Sequence, residues 1–348
     1  MAHPAWKTVV AVPAATLGGM LASQAGLPLA WLTGATLATA LVSLTAGALW
    51  LPRWLYRSGQ TVVGVSVGLT VTGDIAGRLG WHLLMIPVAA MLSIAIGTRL
   101  APLLARWSGL DPATAHFSMM PAGISEMAEL AGRHGADVGA VAMLHTLRVM
   151  LVVFLVPPAV YAFSPGEVAA VARAAGHWDG PLALALAAGV AGGLLAMRVG
   201  LPSSFMLGPM IAVAILSGTG LVAAEEPRLL IAAAQVVLGL NLGARLRRET
   251  LGRLPRALAV GVPALLVHLA AMVVAALAMA AAAGTDAMTT VLCLATGGAA
   301  EMVLTARAVA ADAALVAAYQ LSRGLSGNAL AETLYRRRLS RQAGGGAE

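Results

Sequence analysis

Charge is scarce in this chain. Only 11% of its 348 residues are Asp, Glu, Lys or Arg, against roughly 25% in a soluble globular domain. A soluble core of this size needs a polar coat, and too little polar sequence is present to make one. Cysteine is scarcer still. Cys293 stands alone, which excludes an intrachain disulfide, a Cys-based zinc site and a CxxC redox motif. Long polar stretches are missing as well. None exceeds about 15 residues, too short for an independent DNA-binding domain of roughly 50 or more. The net charge of +7 therefore does not read as nucleic-acid binding, because the cations sit in short loops and at the C-terminus.

What is present is apolar. Hydrophobic residues make up 59% of the chain, and runs of about 20 residues, enough to cross a hydrocarbon layer of roughly 30 Å, recur throughout. The bilayer is the solvent. Lys7, the run Thr8 to Ala22 and the triplet Ser23-Gln24-Ala25 also fit a cleavable signal peptide. A copy of the same stretch at Val190 to Gly200 favours a first transmembrane helix instead.

That copy belongs to a duplication of the whole chain. Gly18, Gly19, Leu21, Ala22, Gly26, Leu27, Pro28 and Gly34 recur as Gly192, Gly193, Leu195, Ala196, Gly200, Leu201, Pro202 and Gly208. After a one-residue shift, Gln60, Gly64 and Gly68 recur as Gln235, Gly239 and Gly243. A third block matches Gly123, Glu126, Met127, Asp137, Val141 and Arg148 to Gly298, Glu301, Met302, Asp312, Val316 and Arg323. In an alanine-rich chain, matches at Gly, Pro, Gln, Glu, Asp and Arg carry the case. The expected organisation is a first repeat over 8–163, a linker over 164–180, a second repeat over 181–335 and a basic cytoplasmic tail over 336–348.

Apolar runs bounded by Pro, Gly and charge predict six segments per half. They lie at 8–25, 28–50, 59–73, 81–104, 112–133 and 138–162, then at 181–198, 201–220, 228–244, 256–283, 287–309 and 311–334. The fifth segment of each half is interrupted just before its glutamate, by Pro121 and Gly123 in one and by Gly297 and Gly298 in the other. Proline removes a backbone donor and paired glycines loosen a helix. Such a break is tolerated at depth only where protein or a water-filled cavity surrounds it.

Charge counting tests whether these segments cross. Of 22 Lys and Arg, four lie within the fifth and sixth segments. If the fifth segments re-enter, 15 of the rest fall inside and 3 outside; if they cross, 11 and 7. The prediction is an all-α polytopic membrane protein of two homologous halves, inverted 5+5, with a broken or re-entrant segment in each and both termini cytoplasmic. The third segment, short and Gly-rich, offers a second place for re-entry.

Arg148 and Arg323 fall near the middle of the sixth segments, where an unpaired charge costs at least about 2.5 to 3.5 kcal/mol. Glu126 and Glu301 are the expected partners. Asp137 and Asp312, at the start of the same segments, read as helix caps. Their other reading puts all these ionisable groups on a solute or ion pathway, with Gln60, Gln235, Asn241, His145 and Gln320 as further polar candidates. Gly64-xxx-Gly68 and Gly239-xxx-Gly243 read as close helix contacts beside Gln60 and Gln235. Glu129 and Arg133 read as a local ion pair. No cofactor is expected, and the seven histidines include no pair at metal-binding spacing.

With the Gly-Leu-Pro-x-x-aromatic-x-x-Gly and Gly-x-x-Glu-Met blocks in hand, the chain resembles the bacterial AbrB membrane family with internal duplication, over roughly residues 10 to 335. The pattern Gly123-Ile-Ser-Glu126-Met127, then Asp137, His145 and Arg148, carries the resemblance, and Gln320 departs from it where the first copy has His145. It implies a multi-pass protein of the bacterial inner membrane. Members are labelled regulators of gene expression or putative ammonia monooxygenases, and neither label follows from these residues. The name is shared with a small soluble DNA-binding protein of a different kind. Inverted repeats, equivalent breaks and duplicated buried charges favour a secondary transporter of a small solute, with Glu126 and Glu301 as candidates for proton or ion coupling and Arg148 and Arg323 for charge balance or an anionic substrate. The alternatives are a membrane-located regulator acting indirectly and, more remotely, a metal-dependent oxidase. The expected partners are lipid and an unidentified solute or ion, without direct nucleic acid, and a homo-oligomer is left open.

Overall fold

The computed structural model describes residues 5–71, 80–163, 176–201 and 203–344. Pro202, most of the expected linker and the loop cations Arg78 and Arg173 lie outside the described residues. Every regular element described is a helix, and the order of helices repeats. The first half contains α1 (Ala5–Gln24), α2 (Ala30–Ala46), α3 (Arg53–Thr70), α4 (His82–Ser108), α5 (Pro112–Met119), α6 (Ile124–Arg133) and α7 (Val138–Phe163). The second contains α8 (Gly180–Arg198), α9 (Ser204–Gly218), α10 (Arg228–Ala244), the short α11 (Arg248–Arg253), α12 (Pro255–Ala283), α13 (Ala287–Leu294), α14 (Ala299–Ala308) and α15 (Ala313–Gly344).

Among the described residues five stretches are long and apolar enough to cross a membrane: His82–Ser108, Val138–Ala162, Gly180–Arg198, Arg228–Arg253 and Pro255–Ala283. Shorter apolar helices occur at Ala30–Ala46 and Ser204–Gly218. Two element boundaries differ most from the apolar runs. Helix α3 starts at Arg53, because Pro52 is a good helix entry and the polar turn after it stays helical. Helix α15 continues to Gly344, so Arg336, Arg337 and Arg338 extend it rather than leaving it. Its exposed end carries an i,i+4 ion pair, Glu332 to Arg336, at 2.6 Å.

The turns between the first two helices of each half share an unusual feature. Leu29 (φ 47°) and Ser203 (φ 50°), 174 residues apart, both hold the left-handed conformation just before α2 and α9. A side chain there costs of order 1 to 3 kcal/mol, so the tight turn is retained in both copies against a local penalty.

The helices form two compact units, and each unit draws on both repeats. One comprises residues 1–80, 153–248 and 298–317; the other comprises 81–152, 249–297 and 318–348. In the first unit α1 packs on α2 and α8 on α9 at almost bare backbone. A Cβ on Gly18 would lie 2.5 Å from the Gly34 carbonyl oxygen, and one on Gly192 would lie 2.5 Å from that of Gly208. The third helix of each half then packs on the second helix of the other, α3 on α9 and α10 on α2. Gly64 meets the carbonyl of Met206, and Gly239 meets that of Leu32. A Cβ on Gly68 would lie 2.9 Å from the Met210 carbonyl oxygen, and one on Gly243 would lie 2.5 Å from that of Thr36. Leu32 and Met206 occupy equivalent positions, as do Thr36 and Met210, so the contacts are exchanged reciprocally, as across a two-fold axis.

The second unit packs α4 against α12 and α5 against α4. Ser93 Oγ and His268 Nε2, 3.3 Å apart, are 175 residues apart in sequence and so join equivalent positions of the two halves. In the same unit Leu104, Ala115, Met119, Leu144 and Leu265 form a buried core. A second core gathers Phe117, Met120, Met127 and Tyr335.

Candidate functional site

The feature that sets this chain apart from a plain helical bundle is the pair of interrupted segments, α5–α6 and α13–α14. Each first half-helix is started by an aspartate. Asp111 Oδ1 accepts from Thr114 N at 2.8 Å, and Asp286 Oδ2 accepts from Thr289 N at 2.7 Å. Burial pushes the Asp286 carboxyl up, but the hydrogen bonds from Thr289 and Met288 outweigh it and hold the group below its ordinary range. The two aspartates are 175 residues apart and went unnoticed in the sequence, although that spacing was a usable signal.

Each first half-helix stops after eight residues, where the chain turns extended. Met120 sits at φ −66°, ψ 128° before Pro121, and Ala295 at φ −55°, ψ 130°. The second half-helices begin after Gly123 and Gly298, again in extended conformation. A helix broken at depth leaves bare carbonyls at one end and bare amides at the other, with partial charges of opposite sign.

The carbonyl ends are taken by the residues of α7 and α15. Arg148 Nη1 donates to Met120 O at 2.8 Å and Nη2 to Ser118 O at 2.6 Å. His145 Nε2 lies 2.9 Å from Phe117 O. In the second copy Gln320 Nε2 donates to Leu292 O and Ala295 O, both at 2.9 Å. Arg323 Nη2 donates to Gly297 O at 3.0 Å and also to Gln320 Oε1. Both arginines are buried, with 4% and 8% of their surface exposed.

The amide ends are taken by the glutamates. Glu126 and Glu301 are the third residues of α6 and α14, and each carboxylate folds back against its own cap glycine. A Cβ on Gly123 or Gly298 would run into the carboxylate oxygen. A carboxylate at this position answers the positive helix end. The two copies differ in burial, since Glu301 is 5% exposed and Glu126 is half-buried. Arg245 is within electrostatic reach of Glu301. It donates from Nε to Asn241 Oδ1 at 3.2 Å and lies over the Tyr56 ring at 5.6 Å.

This arrangement corrects the expected ion pairing. Among the described residues no ion pair joins Glu126 to Arg148. The glutamate serves the amide end of one half-helix and the arginine serves the carbonyl end of the other, so helix ends stand in for the counter-ions.

The remaining candidates fall around this frame. Asp137 Oδ1 accepts from Ala140 N at 3.0 Å and Asp312 Oδ1 from Leu315 N at 2.9 Å, capping α7 and α15. Asp137 N also donates to Thr114 Oγ1 at 2.8 Å, tying the start of α7 to α5. Gln60 and Gln235 are half-buried on α3 and α10. Glu129 and Arg133 form an exposed pair at 2.5 Å.

Several contacts had no signal in the sequence. Gly123 N donates to Asn328 Oδ1 at 3.3 Å. Glu226, in the first unit, holds Arg307 at 2.7 and 3.1 Å. His116 Nε2 reaches Ala331 O at 2.9 Å beside a ring cluster of Phe117, His134 and Tyr335. No group of three or more His, Cys, Asp or Glu among the described residues is placed to hold a metal ion.

Apolar helices of membrane-crossing length, two of them directly preceding broken half-helices, define a polytopic helical membrane protein. The chain belongs to the AbrB family: the family model described as transition state regulatory protein AbrB matches residues 3–338. It is 30% identical over 310 residues to "Putative regulator AbrB" of Escherichia coli (strain K12), covering 85% of this chain and 86% of that protein. It is 27% identical over 354 residues to "Uncharacterized protein YhjN" of Bacillus subtilis (strain 168), covering 94% and 91%.

Proposed function

We propose that this protein is a secondary transporter of a small solute in the bacterial inner membrane. In this reading its two repeats are inverted 5+5, with the interrupted segments meeting the solute and both termini cytoplasmic. The observation that carries the reading is the equivalent placement of the two breaks, each with an arginine at its carbonyl end and a glutamate at its amide end. Discontinuous helices in corresponding positions of two repeats aim half-helix ends at a substrate or ion within the membrane. Reciprocal packing of the halves supports a two-fold relation, and the distribution of Lys and Arg favours an axis in the membrane plane over one along its normal.

Glu126 and Glu301 are then the coupling groups, and Arg148 and Arg323 balance or bind charge. Gln60, Gln235, Asn241, His145 and Gln320 complete the polar surroundings. Purified protein in liposomes tests this. Solute uptake driven by a proton or sodium gradient, lost in Glu126→Gln and Glu301→Gln, supports the reading. Absence of uptake for every solute under every gradient contradicts it.

A second reading is favoured by the names of the family model and of the Escherichia coli relative, both of which say regulator. In it the protein alters gene expression indirectly, through a cytoplasmic partner or through flux. Cross-linking to a stable partner, with expression changed by variants that still transport, would select it.

A further inference from the structure

Buried polar atoms without a partner are rare in folded proteins, and each calls for an explanation. Among the described residues eight such side-chain atoms occur. Four sit on the breaks or on the residues that hold them: Arg148 Nε, Arg323 Nε, Ser118 Oγ and Thr296 Oγ1. A fifth, His268 Nδ1, belongs to the same unit. Gly97 links His268 to the first break, since a Cβ on it would lie 2.5 Å from Met119 O and 3.5 Å from His268 Cε1.

Charge makes the cluster more unusual. Arg148 and Arg323 are within electrostatic reach of each other, and His268 is within reach of both. None of the ion pairs among the described residues includes either arginine. Their Nη groups are engaged by carbonyls, which carry only partial charge. Two like charges buried together without an anion are costly, and each leaves its Nε–H without a partner. His268 Nε2 lies 3.3 Å from Ser93 Oγ, and in the tautomer that places the ring hydrogen on Nδ1 that atom is a third donor.

We infer that the unpartnered donors at the two breaks form a binding site for a small oxyanion, a carboxylate or an inorganic oxoanion, gripped by Arg148 Nε and Arg323 Nε. His268 Nδ1 and the hydroxyls of Ser118 and Thr296 supply further hydrogen bonds. An oxyanion suits this set because it offers at least two acceptors to donors contributed by both repeats. An uncharged solute would leave the buried positive charge unanswered. The inference rests on the transporter reading for its role but not for its detection, because binding is measured at equilibrium without flux.

The test is saturable binding of radiolabelled malonate to the purified full-length protein in detergent, with unlabelled acetate, phosphate and sulfate as competitors at constant ionic strength. One malonate per chain is expected, displaced by at least one of the other anions. Thr296→Val, nearly isosteric, should weaken binding about 3- to 10-fold with an unchanged melting temperature. Arg323→Lys keeps a charge but loses the Nε donor and should weaken it at least about 10-fold. If Arg323→Lys does not fold, Thr296→Val still decides. No saturable binding of labelled malonate, phosphate or sulfate to wild type, or binding that Thr296→Val leaves unaltered, overturns the site. Binding without uptake in liposomes would keep the site and remove the transporter. Uptake of a neutral or cationic solute indifferent to these anions would do the reverse.

Discussion

His145 and Gln320 each reach a carbonyl 28 residues before them, that of Phe117 in the first repeat and that of Leu292 in the second, both at 2.9 Å. An imidazole and a carboxamide do the same work at the end of a broken half-helix. The division of labour with the arginines differs. In the first repeat His145 and Arg148 share three carbonyls. In the second Gln320 alone spans Leu292 and Ala295, which releases Arg323 to Gly297.

His145→Gln should therefore be tolerated, with stability within about 1 kcal/mol of wild type, whereas His145→Leu leaves a buried carbonyl without a donor and should cost about 1 to 3 kcal/mol. Thermal unfolding in detergent, followed by tryptophan fluorescence, separates the two.

Gly298→Ala should be more harmful than Gly123→Ala. In each the new Cβ displaces the glutamate from its helix end, but Glu301 is buried, while Glu126 is half-buried and can move toward solvent. The expected gap is about 1 kcal/mol or more. Removing the carboxylate as well, in Gly298→Ala with Glu301→Ala, should show strong non-additivity in a double-mutant cycle.

The reciprocal glycine contacts predict matched effects in the two halves. Gly34→Val and Gly208→Val force a side chain into the backbone of the adjoining helix and should abolish a monodisperse folded species in size-exclusion chromatography. Gly252→Ala, where an added Cβ meets nothing within 4 Å, should leave it intact and gain up to about 1 kcal/mol.

Asp286→Ala should cost about 0.5 to 2 kcal/mol through loss of the cap on α13. Because the folded-state carboxyl is held below its ordinary range, the contribution of Asp286 is present above about pH 4. It is lost as pH falls through that lowered value. The difference in melting temperature between wild type and Asp286→Ala should accordingly be flat from neutral pH down to about pH 4 and narrow below it.

The helical membrane class and the position of the two breaks could be read directly, because Pro121, Gly123, Gly297 and Gly298 are residue types that fail to continue a helix. The glycine faces were equally visible, though not that α3 packs against α9 and α10 against α2, since a small residue specifies closeness without naming its neighbour. The partners of Arg148 and Arg323 were hidden for a different reason. A counter-charge was sought among carboxylates, whereas a half-helix end offers backbone carbonyls that no residue type announces. Ser93 and His268 escaped notice because a serine and a histidine do not look like a repeated pair.

The claim that the breaks face a solute path, rather than only bracing the helices, is tested most directly by reactivity at Thr296. In a Cys293→Ser background, Thr296→Cys should be modified by a small water-soluble methanethiosulfonate in native membrane vesicles, and malonate should slow the reaction. A cysteine at 296 that stays unreactive in the folded protein, yet reacts fully once the protein is denatured, would contradict the account.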